Sequence, residues 1–122
     1  MAADQGVIEA FVAAWHATDE AELRQLLERC WAADGALTLP DGESVGRVAV
    51  AAEIGRITQR WPTRSVVHIS SVAEHHGWLR YRWTITSPDG AIVGQGLHVG
   101  ERAPDGRLRR VVAFYGPAPA MD

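Results

Sequence analysis

Five histidines supply the side chains of this chain whose ordinary titration range lies closest to neutrality. His98 stands in the run Gly94-Gln95-Gly96-Leu97-His98-Val99-Gly100, where three glycines share its parity. Same-face glycines leave a strand open, for curvature or for close approach of a ligand. A neutral imidazole at such a place suits general acid–base work or donation to a substrate oxygen. His68, in Val67-His68-Ile69, is a second candidate. It faces inward if Val66, His68 and Ser70 share the inner face, and outward if Val67, Ile69 and Ser71 do. Asp34 is a third candidate, as a base or as a partner for a pocket histidine, with a turn or helix-end cap as its alternative. The pair His75-His76 before Gly77 reads as an exposed hairpin turn. Two histidines without a third ligand at a recognisable spacing make no metal site. Phosphate loops, paired catalytic carboxylates and Ser/His/Asp signatures are absent from the sequence. Neither a metal nor a cofactor is expected.

Five tryptophans are many for 122 residues. Trp15, Trp31 and Trp83, with Phe11, Tyr81 and Tyr115, could wall a pocket for a flat or polycyclic ligand. The single cysteine, Cys30, lies in an apolar helical stretch and reads as a small buried hydrophobe; alone it forms no intrachain disulfide.

The elements that must position these groups divide the chain in two. Val7, Ile8, Phe11, Val12 and Trp15 recur at helical spacing. Thr18-Asp19-Glu20-Ala21-Glu22 looks like a helix start, capped by Thr18 or Asp19. Leu23, Leu26, Leu27, Cys30 and Trp31 form that second helix's stripe, and Asp34-Gly35 is expected to end it. Ala36 to Leu39 can make a short strand before the turn Pro40-Asp41-Gly42. Gly46 to Arg60 reads as a third helix with Val50, Ile54 and Ile57 inward, stopped by Pro62.

The second half reads as strands. Val66 to Ala73 is rich in β-branched residues. Leu79 to Ile85 alternates strictly, so Leu79, Tyr81, Trp83 and Ile85 share one face and Arg80 and Arg82 the other. Turns at Pro88-Asp89-Gly90 and Pro104-Asp105-Gly106 join this strand to Ile92–Arg102 and Leu108–Tyr115 in an antiparallel meander. Helices segregated before such a sheet give an α+β fold: a curved antiparallel sheet wrapped around three N-terminal helices, cone-shaped, with one internal pocket.

Residues 1–122 are expected to form one domain, with a core of about 7–116 and a loose tail at 117–122. A net charge of -3 gives no sign of a nucleic-acid partner. No apolar run is long enough to span a bilayer, and Met1-Ala2-Ala3-Asp4 lacks the pattern of a signal peptide, so a cytoplasmic protein is expected.

This order of elements resembles the nuclear transport factor 2-like, or SnoaL-like, superfamily. The residues that carry the resemblance are Phe11-Val12-Ala13-Ala14-Trp15, Trp31-Ala32-Ala33-Asp34-Gly35-Ala36-Leu37, Pro40, Gly46-Arg47, Asp105-Gly106-Arg107-Leu108 and Ala113-Phe114-Tyr115-Gly116. Laid along bacterial ketosteroid isomerases, Phe11 takes the position of their donor tyrosine, Leu39 that of their base, and His98 that of their oxyanion aspartic acid. Two of the three functional groups are therefore missing, and steroid isomerisation by that mechanism is disfavoured. The resemblance to scytalone dehydratase-like members falls on His68. The acid–base aspartate of epoxide-hydrolase members is matched by Ala113. The resemblance thus implies a pocket lined by Phe11, Trp15, Trp31, Leu39, Tyr81, Trp83, Ala113 and Tyr115, with His98, assisted by His68 or Asp34, as its catalytic group. It implies a small hydrophobic ligand and cofactor-independent isomerisation, dehydration or cyclisation of a polyketide- or terpenoid-like substrate. The alternative is a binding or dimerisation module without chemistry. A homodimer through the outer sheet face bearing Val93, Leu97 and Val99 is also expected.

Overall fold

The computed structural model describes residues 2–117. The segment expected to be a tail lies, apart from Pro117, outside the described residues. Three helices, α1 (Ala2–Ala14), α2 (Glu20–Cys30) and α3 (Arg47–Thr58), accompany seven strands: β1 (Trp31–Leu39), β2 (Gly42–Val45), β3 (Val66–Ile69), β4 (Ala73–His75), β5 (Trp78–Thr86), β6 (Ile92–Arg102) and β7 (Leu108–Tyr115).

Asp19 caps α2, accepting from the Glu22 N–H at 2.8 Å, while the Glu22 carboxylate reaches back to the Thr18 N–H at 2.8 Å. The helix then ends at Cys30, short of the stop expected at Asp34-Gly35. Trp31 already has strand dihedrals (φ -118°, ψ 127°) and opens β1. Its indole stacks on Phe11 at 5.3 Å and lies beneath Gly35, where a Cβ would come within 2.5 Å of the indole nitrogen. The chain bulges between Trp31 and Ala36, because five residues of β1 are spanned by two of β7. The bulge is pinned from α3: Arg47 Nε donates to the Trp31 carbonyl and the Gly46 N–H to the Gly35 carbonyl, at 2.8 and 2.9 Å. Asp34 sits exposed on this bulge.

The strands form one sheet in the order β2-β1-β7-β6-β5-β3, with β4 also on β5. The meander β5-β6-β7 is antiparallel, as its turns demand. The sheet as a whole is mixed, because β1 lies parallel to β7. The run from Val66 to Ala73 breaks into β3 and β4, both antiparallel to β5; the Ser70 N–H and the Ser70 hydroxyl oxygen bridge the break to Arg82. His76 and Gly77, both at positive φ, make the β4–β5 turn.

Alternation along β5 buries Leu79, Tyr81, Trp83 and Ile85 and turns Arg80 outward. Helices α1 to α3 cover that inner face with Ile8, Phe11, Leu27, Val50 and Ile54. Each such side chain contributes about 1.5–3 kcal/mol by leaving water. Opposite β5, the inward positions of β6 are Gly94, Gly96, His98 and Gly100. The large β5 side chains lie across the glycines: a Cβ on Gly96 would sit 2.5 Å from the Trp83 ring and 2.0 Å from the Phe114 carbonyl oxygen, and one on Gly100 3.2 Å from Leu79. His98 is therefore the one residue with a side chain among these four inward positions of β6. Gly96→Ala is expected to force the Trp83 indole and the β7 backbone apart, lowering stability by about 1–3 kcal/mol. Chemical denaturation of the variant beside Gly42→Ala, at an open position, checks this.

Candidate functional site

Between the sheet's concave face and the C-terminal half of α3 lies a cavity of about 550 Å³. Trp15, Trp61 and Trp83 supply its aromatic walls, and Val67, Ile69, Ile57 and Ile85 most of the aliphatic surface. Trp15 and Trp61 stack at 5.9 Å, which ties α1 to the segment after α3. The lining residues that remain exposed are Asp41, Arg56, Arg60, Val93 and Tyr115, together with Pro40. They mark the mouth. Arg56 is held by Glu53 in a two-pronged ion pair.

His98 lines the cavity and is the one buried polar or charged residue among those described, at 7% exposure. Four rings surround its imidazole: Tyr81 at 5.3 Å, Trp83 at 5.6 Å, Phe11 at 5.9 Å and Trp15 at 6.4 Å between centroids. Register places Tyr81 directly opposite His98, and the Tyr81 Oη lies 2.8 Å from Nδ1. Burial holds the imidazole's pKa down at about 3, so the ring is neutral at physiological pH. Burial, with a smaller contribution from nearby Cys30, raises the Tyr81 phenol, which stays protonated. The Cys30 thiol is itself pushed up to about 12 by burial, and is no nucleophile at neutral pH. The indole N–H groups of Trp15 and Trp83 are buried without an acceptor. The hydrogen-bonded polar pair of the inner end is His98 and Tyr81.

No family model matches the sequence, and no curated protein matches it. Solved structures do. A candidate isomerase of the SnoaL-like family from Agrobacterium tumefaciens is 26% identical, with a TM-score of 0.85 over 96% of this chain and 100% of its own. A nuclear transport factor 2-like protein of unknown function from Exiguobacterium, 15% identical, superposes with a TM-score of 0.72 over 92% of this chain and 99% of its own. The chain belongs to the nuclear transport factor 2-like, SnoaL-like superfamily. A candidate polyketide cyclase from Sinorhizobium meliloti shares the fold at 15% identity, with a TM-score of 0.68 over 88% of this chain and 93% of its own.

The SnoaL-like fold brings only some of the sequence-derived candidates together. His98, Trp15, Leu39, Tyr81, Trp83, Ala113 and Tyr115 line the cavity. Phe11 and Trp31 do not: they stack on one another in the core behind it, fully buried. His68 is exposed on the outer face, 3.1 Å from the Thr86 hydroxyl, because Val67 and Ile69 take the inward positions of β3. Asp34, on its bulge, is not among the lining residues. Val93, expected on the outer face, reaches the cavity mouth, since the β5–β6 register shifts between Ile85 and Thr86. Sequence reasoning missed Asp41, Arg56, Arg60 and Trp61. The turn Pro40-Asp41-Gly42 was a signal only for backbone geometry; that it folds over a cavity rim depends on where β1 ends. Among the described residues no three His, Cys, Asp or Glu side chains cluster as a metal site, and no helix is long and apolar enough to cross a membrane.

The buried neutral imidazole has a consequence for stability. Its folded value, about 3, lies below the ordinary 6.5. Between those values the unfolded chain binds a proton that the folded chain refuses. Stability is thus full above pH 6.5 and falls as pH drops through the window, by at most about 1.4 kcal/mol per pH unit. The depressed carboxylates of Glu53, Glu74, Asp89 and Glu101 act in the same direction but at lower pH. Denaturation midpoints measured from pH 7.5 to 5.5 are expected to fall in the wild type and to flatten in His98→Gln.

Proposed function

We propose that this chain binds a small apolar organic molecule in the cavity, with one polar oxygen of the ligand turned toward His98. The observation that carries this reading is a single buried histidine, held by Tyr81 at the closed end of an otherwise aromatic and aliphatic cavity. A volume of about 550 Å³ suits a ligand of two or three fused rings or a folded chain. The chemistry we infer is cofactor-independent proton transfer: isomerisation, dehydration or cyclisation of a polyketide- or terpenoid-like substrate. The fold it shares with a candidate isomerase and a candidate polyketide cyclase supports that class. His98 stabilises negative charge growing on the ligand oxygen by hydrogen bonding. Asp41, the one carboxylate among the described lining residues, accepts the proton at the mouth. His68 and Asp34, which lie elsewhere on the molecule, are left without a step.

A second reading, a binding module without chemistry, is favoured by the exposure of Asp41, which stands in water at the mouth and apart from the buried His98. A thermal-shift screen of cyclic ketones, enones and quinones, followed by turnover assays on the hits, separates the two. His98→Ala is expected to weaken the best hit about tenfold or more. Shifts identical to the wild type would sink the role given to His98. Asp41→Asn is expected to lower kcat about a hundredfold with little change in KM; binding with no turnover by the wild type would establish the second reading.

We also infer a homodimer through the outer sheet face. Phe114, 53% exposed, pairs across β6–β7 with Leu97, beside Val99 and Val112, leaving a contiguous apolar strip. Val99→Glu should convert a dimer in sedimentation velocity to monomer; a monomeric wild type at tens of micromolar would refute the inference.

A further inference from the structure

The hydrogen bond between Tyr81 and His98, both lining the cavity, can be made in two ways, and they leave the imidazole's other nitrogen in different states. If the phenol donates to Nδ1, the imidazole carries its proton on Nε2, on the opposite side of the ring. If Nδ1–H donates to the phenol oxygen, the phenol hydrogen is left over. Tyr81 is 3% exposed, and neither Tyr81 nor His98 has any other hydrogen-bond partner among the described residues. The first arrangement satisfies the buried hydroxyl; the second leaves its hydrogen without an acceptor among the described residues.

We propose that Tyr81 is a positioning residue that fixes His98 as the Nε2–H tautomer, so that the closed end of the cavity is a hydrogen-bond donor and selects ligands bearing a carbonyl over the corresponding alcohols. This rests on the cavity being the ligand site, and deepens that reading by naming the ligand's functional group. A ketone oxygen accepts from Nε2–H and has no hydrogen of its own to place. An alcohol can also accept there, but its hydroxyl hydrogen then needs an acceptor. The Tyr81 oxygen is already engaged with Nδ1, across the ring from Nε2. Gln95 and Tyr115, the other uncharged polar side chains of the wall, are at least partly exposed, unlike the inner end. The charged side chains Asp41, Arg56 and Arg60 are exposed at the mouth. The same geometry explains why His98 serves as a donor and not as the base: one nitrogen is occupied by the phenol and the other already holds the proton.

The test uses the full chain with 15N-labelled histidine. Long-range 1H–15N correlation spectra at pH 7 are expected to show His98 with a protonated Nε2 and an unprotonated, hydrogen-bonded Nδ1. In Tyr81→Phe, which keeps the ring and removes the donor, the Nδ1 signal should move toward that of a free imidazole nitrogen or of the Nδ1–H form. The matched probes 1-tetralone and 1-tetralol, titrated by calorimetry, should differ in Kd by about fivefold or more in favour of the ketone in the wild type, and by less than about twofold in Tyr81→Phe. A wild-type spectrum showing Nδ1–H overturns the proposal with no ligand present, and with no variant needed should Tyr81→Phe fail to fold. A ketone preference that survives Tyr81→Phe unchanged also overturns it. If neither probe binds the wild type, the ligand-selecting half fails together with the cavity reading, whereas the spectrum still decides the tautomer.

Discussion

Two neighbouring strands can both point large side chains at the same core only if the core has room for them, and here it has not. The inward side chains of β5 (Leu79, Tyr81, Trp83 and Ile85) are large, and they lean across β6. The inward residues of β6 are glycines wherever β5 needs the space. That steric constraint sets the rest of the site. It lets the Trp83 ring lie across Gly96 and form a wall, and it makes His98 the one residue with a side chain among the four inward positions of β6. It also brings Tyr81 opposite that histidine, close enough for a hydrogen bond.

From this arrangement the electrostatics follow. A histidine surrounded by four aromatic rings loses its hydration and gains no counter-charge, so it stays neutral far below its ordinary range. A charged group at the same place would need a buried partner, and no carboxylate is among the residues around it. The charged groups of the cavity, Asp41, Arg56 and Arg60, are instead collected at the mouth, where water screens them. The gradient from a charged rim to a neutral donor at the closed end suits an apolar molecule that enters with its oxygen foremost.

The helices matter to the site mainly through their ends. Stacking of Trp15 on Trp61 joins the end of α1 to the segment after α3, and both residues line the cavity. The His16 Nε2 accepts from the Val67 N–H at 2.9 Å, tying the residues just past α1 to the edge strand β3. On the other side, the bulge in β1 lets Trp31 turn inward against Phe11 while Arg47 and Gly46 hold its backbone. These contacts close the core behind the cavity without entering it.

The sequence by itself determined what depends on neighbours along the chain. Period-two alternation in Leu79–Ile85, the glycine turns, the Asp19 cap and the shared parity of Gly94, Gly96, His98 and Gly100 are local patterns, each with a local physical cause. They sufficed for the α+β class and for His98 as an inward residue. The tertiary structure alone decided which side chains meet. Whether Val67 or His68 faces inward depends on the register of β3 against β5, which β-branched composition leaves open. The end of α2 at Cys30 depends on Trp31 being drawn into the sheet beside β7, against a helical stripe that would have continued. That Tyr81 holds His98 depends on the register of β5 against β6, and that Asp41 stands at the mouth depends on pairing between segments far apart in sequence. Such pairings are fixed when the sheet closes, by the packing of the whole core, and leave no periodic trace in the chain.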